Sequence, residues 1–148
     1  MTYSAGVSIA PCLNLPKIDY SVAINGTVNL CHPKYGLSSE VVEVFRNISM
    51  ENYMEFRKNF LVKTSTELEL FNNNAPYRTI ESSIAELDAL QVYNYKNDKY
   101  NYDKVFIAKD DKIFPINIQK EFWGEKAQII KGGHFPFYNF ADLDEILD

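Results

Sequence analysis

The chain has 148 residues and a formal net charge of -5, with 46% hydrophobic and 14% aromatic residues. That length can bury one sizeable core, so one domain over 1–148 is expected. The acidic balance argues against broad nucleic-acid binding, and the apolar content argues against a disordered chain.

No basic start with a long apolar core leads the N-terminus, and no apolar run approaches membrane-spanning length; a soluble, cytoplasmic protein is expected. Cys12, Cys31, His32 and His134 fall in no ligand-like spacing. Free thiols, no metal and no organic cofactor are therefore the expectation.

In chain order, Thr2-Tyr3-Ser4-Ala5-Gly6 fits x-x-Ser-x-Gly, half of a nucleophile elbow. There a serine occupies a sharp strand-to-helix turn, and small neighbours two residues away relieve crowding. Gly6 meets that need, while Thr2 departs from the usual glycine. Apolar residues 7–10 follow, and Pro11 ends or kinks any helix they form. A chance Ser-x-Gly is the competing reading.

Residues 20–24 read as a strand that ends at Asn25-Gly26-Thr27, either a plain turn or a loop bordering a pocket. His32, in Cys31-His32-Pro33-Lys34, reads as an ordinary loop residue.

From 36 to 95 the pattern is helical. Ser38 or Ser39 caps a helix over Val41, Val42, Val44 and Phe45. Ser49 caps a second, where Tyr53, Phe56 and Phe60 recur at helical spacing. Thr64 or Ser65 opens a third through Leu68 and Phe71, and Thr79 opens a fourth over Ile80, Ile84, Leu87 and Leu90. The run is too long for a simple crossover, so it reads as a helical insertion followed by one crossover helix. Its aromatics form their own core or line an apolar acyl channel. Arg46, Arg57, Lys58, Lys63 and Arg78 give it a basic bias, as a solvated face or toward an acidic partner. Residues 93–102 read as a polar connector.

Residues 104–108 read as a third strand, followed by Asp110-Asp111-Lys112-Ile113-Phe114-Pro115 and a helix over 118–123. The acidic pair is either a helix cap or a carboxylate presented over the sheet edge. Residues 127–131 form a last strand that stops at Gly132-Gly133 and presents His134. Phe135, Pro136 and Phe137 pack that loop down, and 142–147 form a short terminal helix.

Strands alternating with helices imply a mostly parallel sheet whose strand ends share one rim. Ser4, Asp111 and His134 each fall where a strand end is expected, in the chain order of α/β-hydrolases. The chemistry needs these types. Ser4 would attack, His134 would take and return the proton, and Asp111 would hold the ring. Asp110 is the rival acid, but Asp111 has the Asp-x-Ile-x-Pro spacing of hydrolases. The Ala5 N–H, directly after the serine, would supply one oxyanion donor.

Ile24-Asn25-Gly26-Thr27, the 111–115 loop and Gly133-His134-Phe135-Pro136-Phe137 together resemble BioG-type pimeloyl-ACP methyl ester esterases of biotin synthesis. These are α/β-hydrolases with a small helical lid. The resemblance spans the chain but only the C-terminal part of the family. It implies Ser4 as nucleophile, Asp111 as acid and His134 as base, acting on methylated pimeloyl carried by an acyl carrier protein (ACP). It also implies strands ahead of the elbow, including the one that carries the serine, and a loop giving a second oxyanion donor. Their expected absence suggests a partial α/β-hydrolase fold. Such a chain would be an esterase fragment paired with a complementing N-terminal piece, an inactive remnant, or a carrier-binding module.

Overall fold

A computed structural model describes residues 1–30, 32–74, 77–92 and 101–147, side chains of 91 and 92 excepted. The expected polar connector lies almost wholly outside the described residues, as does Cys31.

Four strands form one sheet: β1 (Thr2–Tyr3), β2 (Val22–Ile24), β3 (Lys104–Ala108) and β4 (Ala127–Ile130). They lie in chain order and every pair is parallel. Tyr3 is in register with Ile24, Ile24 with Phe106, and Ala108 with Ile130. The carboxyl ends therefore open onto one rim.

A parallel sheet needs cover on both faces, so its inner strands read as continuous apolar runs. Val22, Ala23 and Ile24 are all buried, as are Val105, Phe106, Ile107 and Ala108. Alternate residues feed two clusters. On one face Ala23, Val105 and Ile107 meet Val7 and Val28, with Ile116, Phe122 and Trp123 packed against them. On the other, Val22, Ile24 and Phe106 meet Ile146, with Tyr3, Phe137 and Phe140 alongside.

The serine-bearing strand expected to be missing is present. β1 is only two residues long, yet Thr2 and Tyr3 pair with Ala23 and Ile24. It leads into α1 (Gly6–Ile9), which tightens into a 3-10 turn over Ala10–Cys12 with Pro11 in its first turn.

The insertion carries α2 (Ser39–Arg46), α3 (Tyr53–Phe56), α4 (Ser65–Asn74) and α5 (Ile80–Val92). Ser38 caps α2 by accepting the Val41 N–H at 3.2 Å. Thr64 and Glu67 form a reciprocal capping box at α4, and Thr79 Oγ1 accepts the Ser82 N–H at α5. Ser49 is not the cap of α3. Its N–H donates to Asn52 Oδ1, and the helix starts after Asn52. α3 then widens into a π-helical turn, Arg57–Leu61.

Phe45, Phe56 and Phe60 pack on one another, with centroids 5.0 and 5.4 Å apart. The insertion joins the sheet through a third cluster of Leu30, Val41, Ile113 and Phe114, against which Ala5, Phe60 and Leu61 pack. α6 (Ile116–Trp123) begins two residues before the expected 118, because Pro115 sits at its N-cap. α7 (Asp144–Leu147) closes the chain.

Tyr102 ties the N-terminal layer together. Its hydroxyl lies 2.9 Å from Thr2 Oγ1 and donates to the Val7 carbonyl at 2.9 Å. Tyr102→Phe leaves that buried carbonyl short of a donor and should cost about 1–3 kcal/mol. Urea unfolding checks this: the midpoint should fall with an unchanged slope, and an unmoved midpoint would contradict it.

Candidate active site

Ser4 ends β1 in the left-handed region, at φ 55°. Only a few per cent of non-glycine residues adopt this conformation. Its N–H donates to the Ile24 carbonyl at 3.0 Å, and its carbonyl accepts the Val7 N–H at 3.0 Å. The first bond continues the sheet and the second starts α1, so Ser4 is the corner between them.

The corner fits because the next strand turns beside it at a glycine. Gly26 has φ +125°, and a Cβ there would lie 2.7 Å from the Ser4 carbonyl oxygen.

The acid loop leaves β3 one turn before α6. Asp111 is buried, and its Oδ1 accepts the N–H groups of Ile113 (2.8 Å) and Phe114 (3.0 Å). The helix-cap reading of the acidic pair fails, since α6 is capped at Pro115 without a side-chain bond; Asp111 instead braces its own loop and faces the rim. Asp110 turns away and pairs with Lys63 at 3.4 Å.

The last loop leaves β4 through Gly132, whose φ is +110°, and delivers a buried His134. Its Nδ1 lies 3.0 Å from Asp111 Oδ2 and 3.1 Å from Oδ1, and its Nε2 lies 2.9 Å from Ser4 Oγ. The carboxylate has only acceptors to offer, so the proton belongs on Nδ1 and the lone pair on Nε2 faces the serine hydroxyl.

Tyr3 and Phe114 flank the imidazole, with ring centroids 5.0 and 6.0 Å away. Burial, reinforced by the Asp111 charge, pushes the Tyr3 phenol well above its ordinary value. Tyr3 therefore stays neutral and adds no charge beside the ring.

All three expected side chains meet. Ala5, the expected oxyanion donor, opens α1 at its N-cap position, where helix N–H groups lack intrahelical partners. His32 stays apart. Its Nδ1 accepts the N–H groups of Lys34 and Tyr35, so it builds a turn.

Gln119 was missed from the sequence. It is fully buried, accepts the Gly26 N–H at 2.8 Å, and presents Nε2 to the Phe114 carbonyl at 2.5 Å and to Asp111 Oδ2 at 3.4 Å. The available signal was a glutamine one helical turn from both Ile116 and Trp123, on the face that α6 turns inward. Among the described residues no cluster of three or more His, Cys, Asp or Glu could hold a metal, and no helix is long and apolar enough to cross a membrane.

A parallel sheet with a helical insertion and a strand-to-helix elbow is the architecture of the α/β-hydrolase fold. Two solved structures share it. A crystal structure of BioG from Haemophilus influenzae is 22% identical, aligns over 99% of this chain and 71% of that one, and has a TM-score of 0.83. An esterase from Exiguobacterium antarcticum is 14% identical, aligns over 93% of this chain and 60% of that one, and scores 0.60. Residues 1–146 match the family model described as pimeloyl-ACP methyl esterase BioG, and the chain belongs to that family. No curated protein matches it significantly.

Gly26→Ala tests the corner. The new methyl would meet Ser4 backbone at a φ that side chains avoid, and should cost about 1–3 kcal/mol. A variant that unfolds at the wild-type urea concentration would show that this turn does not confine Ser4.

Proposed function

We propose that this chain is a serine ester hydrolase that cleaves the methyl ester of pimeloyl-ACP, with Ser4, Asp111 and His134 as its triad. The observation that carries the reading is the continuous contact from Ser4 Oγ through the imidazole to a buried carboxylate, at 2.9 and 3.0 Å. The family match supplies the substrate class.

In this reading His134 Nε2 takes the hydroxyl proton as Ser4 Oγ attacks the ester carbonyl carbon. The Ala5 N–H receives the developing oxyanion. The C–O bond to the methoxy group then breaks, and His134 returns the proton so that methanol leaves. Water, deprotonated by His134, attacks the acyl-serine, and the free carboxylic acid departs as Ser4 recovers its proton. Asp111 stabilises the imidazolium throughout without itself being protonated.

Methanol release from pimeloyl-ACP methyl ester measures this. Ser4→Ala and His134→Ala should each lower the rate by about 10⁶-fold. Wild-type turnover in Ser4→Ala would refute the assignment.

We infer a single domain over 1–148 in which 36–95 contains a helical lid, which also serves as a docking face for the carrier protein, and a crossover helix. Three of its cations already pair: Arg46 with Asp88, Lys63 with Asp110, and Arg78 with Glu86. Among the described residues neither Arg57 nor Lys58 pairs with a carboxylate. Lys58 is exposed, and Arg57 lies over the rings of Tyr53 and Phe71 while bonding Asn72 at 2.8 Å. An acidic carrier would meet these two charges.

Lys58→Glu, alone and with Arg57→Glu, should raise KM for the carrier-borne ester about tenfold at low salt and leave a short free ester unaffected. An unchanged KM would remove this face as the docking site.

A further inference from the structure

We propose that Asn25 is a positioning residue for His134, an inference that rests on reading Ser4, Asp111 and His134 as the triad. Asn25 follows β2, is 1% exposed, and holds φ 46°, a conformation that asparagine tolerates better than most side chains. Its own N–H donates to the Phe106 carbonyl at 3.0 Å, which seats the residue against the middle of β3.

The side-chain amide then bridges β3 and the loop that carries His134. Oδ1 accepts the Ala108 N–H at 2.7 Å, and Nδ2 donates to the His134 carbonyl at 2.7 Å, with the Gly133 carbonyl at 3.5 Å. These partners fix which way the amide faces. A backbone N–H cannot accept and a carbonyl cannot donate, so the flipped amide would oppose like with like at both ends. One side chain thus ties the turn after β2 to the last residue of β3 and to the backbone of His134.

The base loop needs such a tie. It enters through two glycines, Gly132 and Gly133, which leave its backbone soft. Asp111 holds only the Nδ1 edge of the ring, at 3.1 and 3.0 Å, and makes no bond to the backbone of His134. Tyr3 and Phe114 pack against the imidazole ring itself. On the far side the Phe135 N–H donates to the Leu61 carbonyl at 2.7 Å, which anchors the loop to the helical insertion. The bond from Asn25 anchors it to the sheet, and the sheet also carries Ser4.

The test uses the full chain with two variants. Asn25→Gly keeps the positive φ and removes both side-chain bonds. Asn25→Asp keeps the size and the acceptor for Ala108, but once ionised turns a second acceptor on the His134 carbonyl. Methyl-ester turnover gives kcat and KM. Proton NMR follows the His134 Nδ1–H, which is assignable because the chain has only two histidines and the signal must vanish in His134→Ala.

In Asn25→Gly, kcat should fall on the order of 10²-fold with KM unchanged, as for a misplaced catalytic group, and the Nδ1–H resonance should be lost to solvent exchange. In Asn25→Asp the deficit should deepen with rising pH. If Asn25→Gly does not fold, Asn25→Asp decides. A kcat within about twofold of wild type across the pH range, an unaltered Nδ1–H signal, or a loss confined to KM would overturn the proposal. A wild-type chain without turnover would sink the triad reading instead, and the Nδ1–H signal would still decide whether Asn25 holds the ring.

Discussion

The backbone of Ser4 carries the whole arrangement. A non-glycine residue at φ 55° is strained by roughly 1–3 kcal/mol, and the surroundings must over-determine it. The Ile24 carbonyl holds its N–H, the Val7 N–H holds its carbonyl, and Gly26 leaves room beside it. A strand of two residues could not impose this alone. It succeeds because β2 is buried on both faces and α1 sinks Val7 and Ser8 into the core.

The parallel register then turns one fixed corner into a site. Each strand delivers its loop to the same rim, so residues 130 positions apart in sequence come within 2.9 Å. Burying a carboxylate at that rim would be prohibitive without donors. Asp111 is given four: two backbone N–H groups of its own loop, the Gln119 amide and the His134 ring. Neutral Tyr3 adds bulk beside the imidazole without adding a competing charge. The insertion contributes by packing Phe60 and Leu61 over Ile113 and Phe114, the two residues whose N–H groups brace Asp111.

What the sequence revealed was the part that depends on chain order and local chemistry. Ser4, Asp111 and His134 stood out because each follows or replaces a strand end and each is a residue type the reaction needs. The caps were legible to within a residue for the same reason, since they act within their own turn: of Ser38 or Ser39 it is Ser38, of Thr64 or Ser65 it is Thr64, and Thr79 caps as read. Spacing favoured Asp111 over Asp110, and the structure adds what spacing could not show: Lys63, from the bend before α4, pairs with Asp110. β1 was invisible because two residues show no alternation, and only pairing with β2 makes them a strand. Gln119 did not stand out in the sequence, because nothing local says that α6 turns it toward Asp111. Ser49 misled because Asn52, three residues on, satisfies its N–H and starts the helix later.

The central claim is that one particular hydroxyl is activated by this geometry. Mapping by mass spectrometry where a fluorophosphonate probe reacts tests it without assuming any substrate. The account predicts a single adduct on Ser4 that disappears when His134 is replaced by alanine. An adduct on any other residue, or labelling of Ser4 that survives loss of the imidazole, would contradict it.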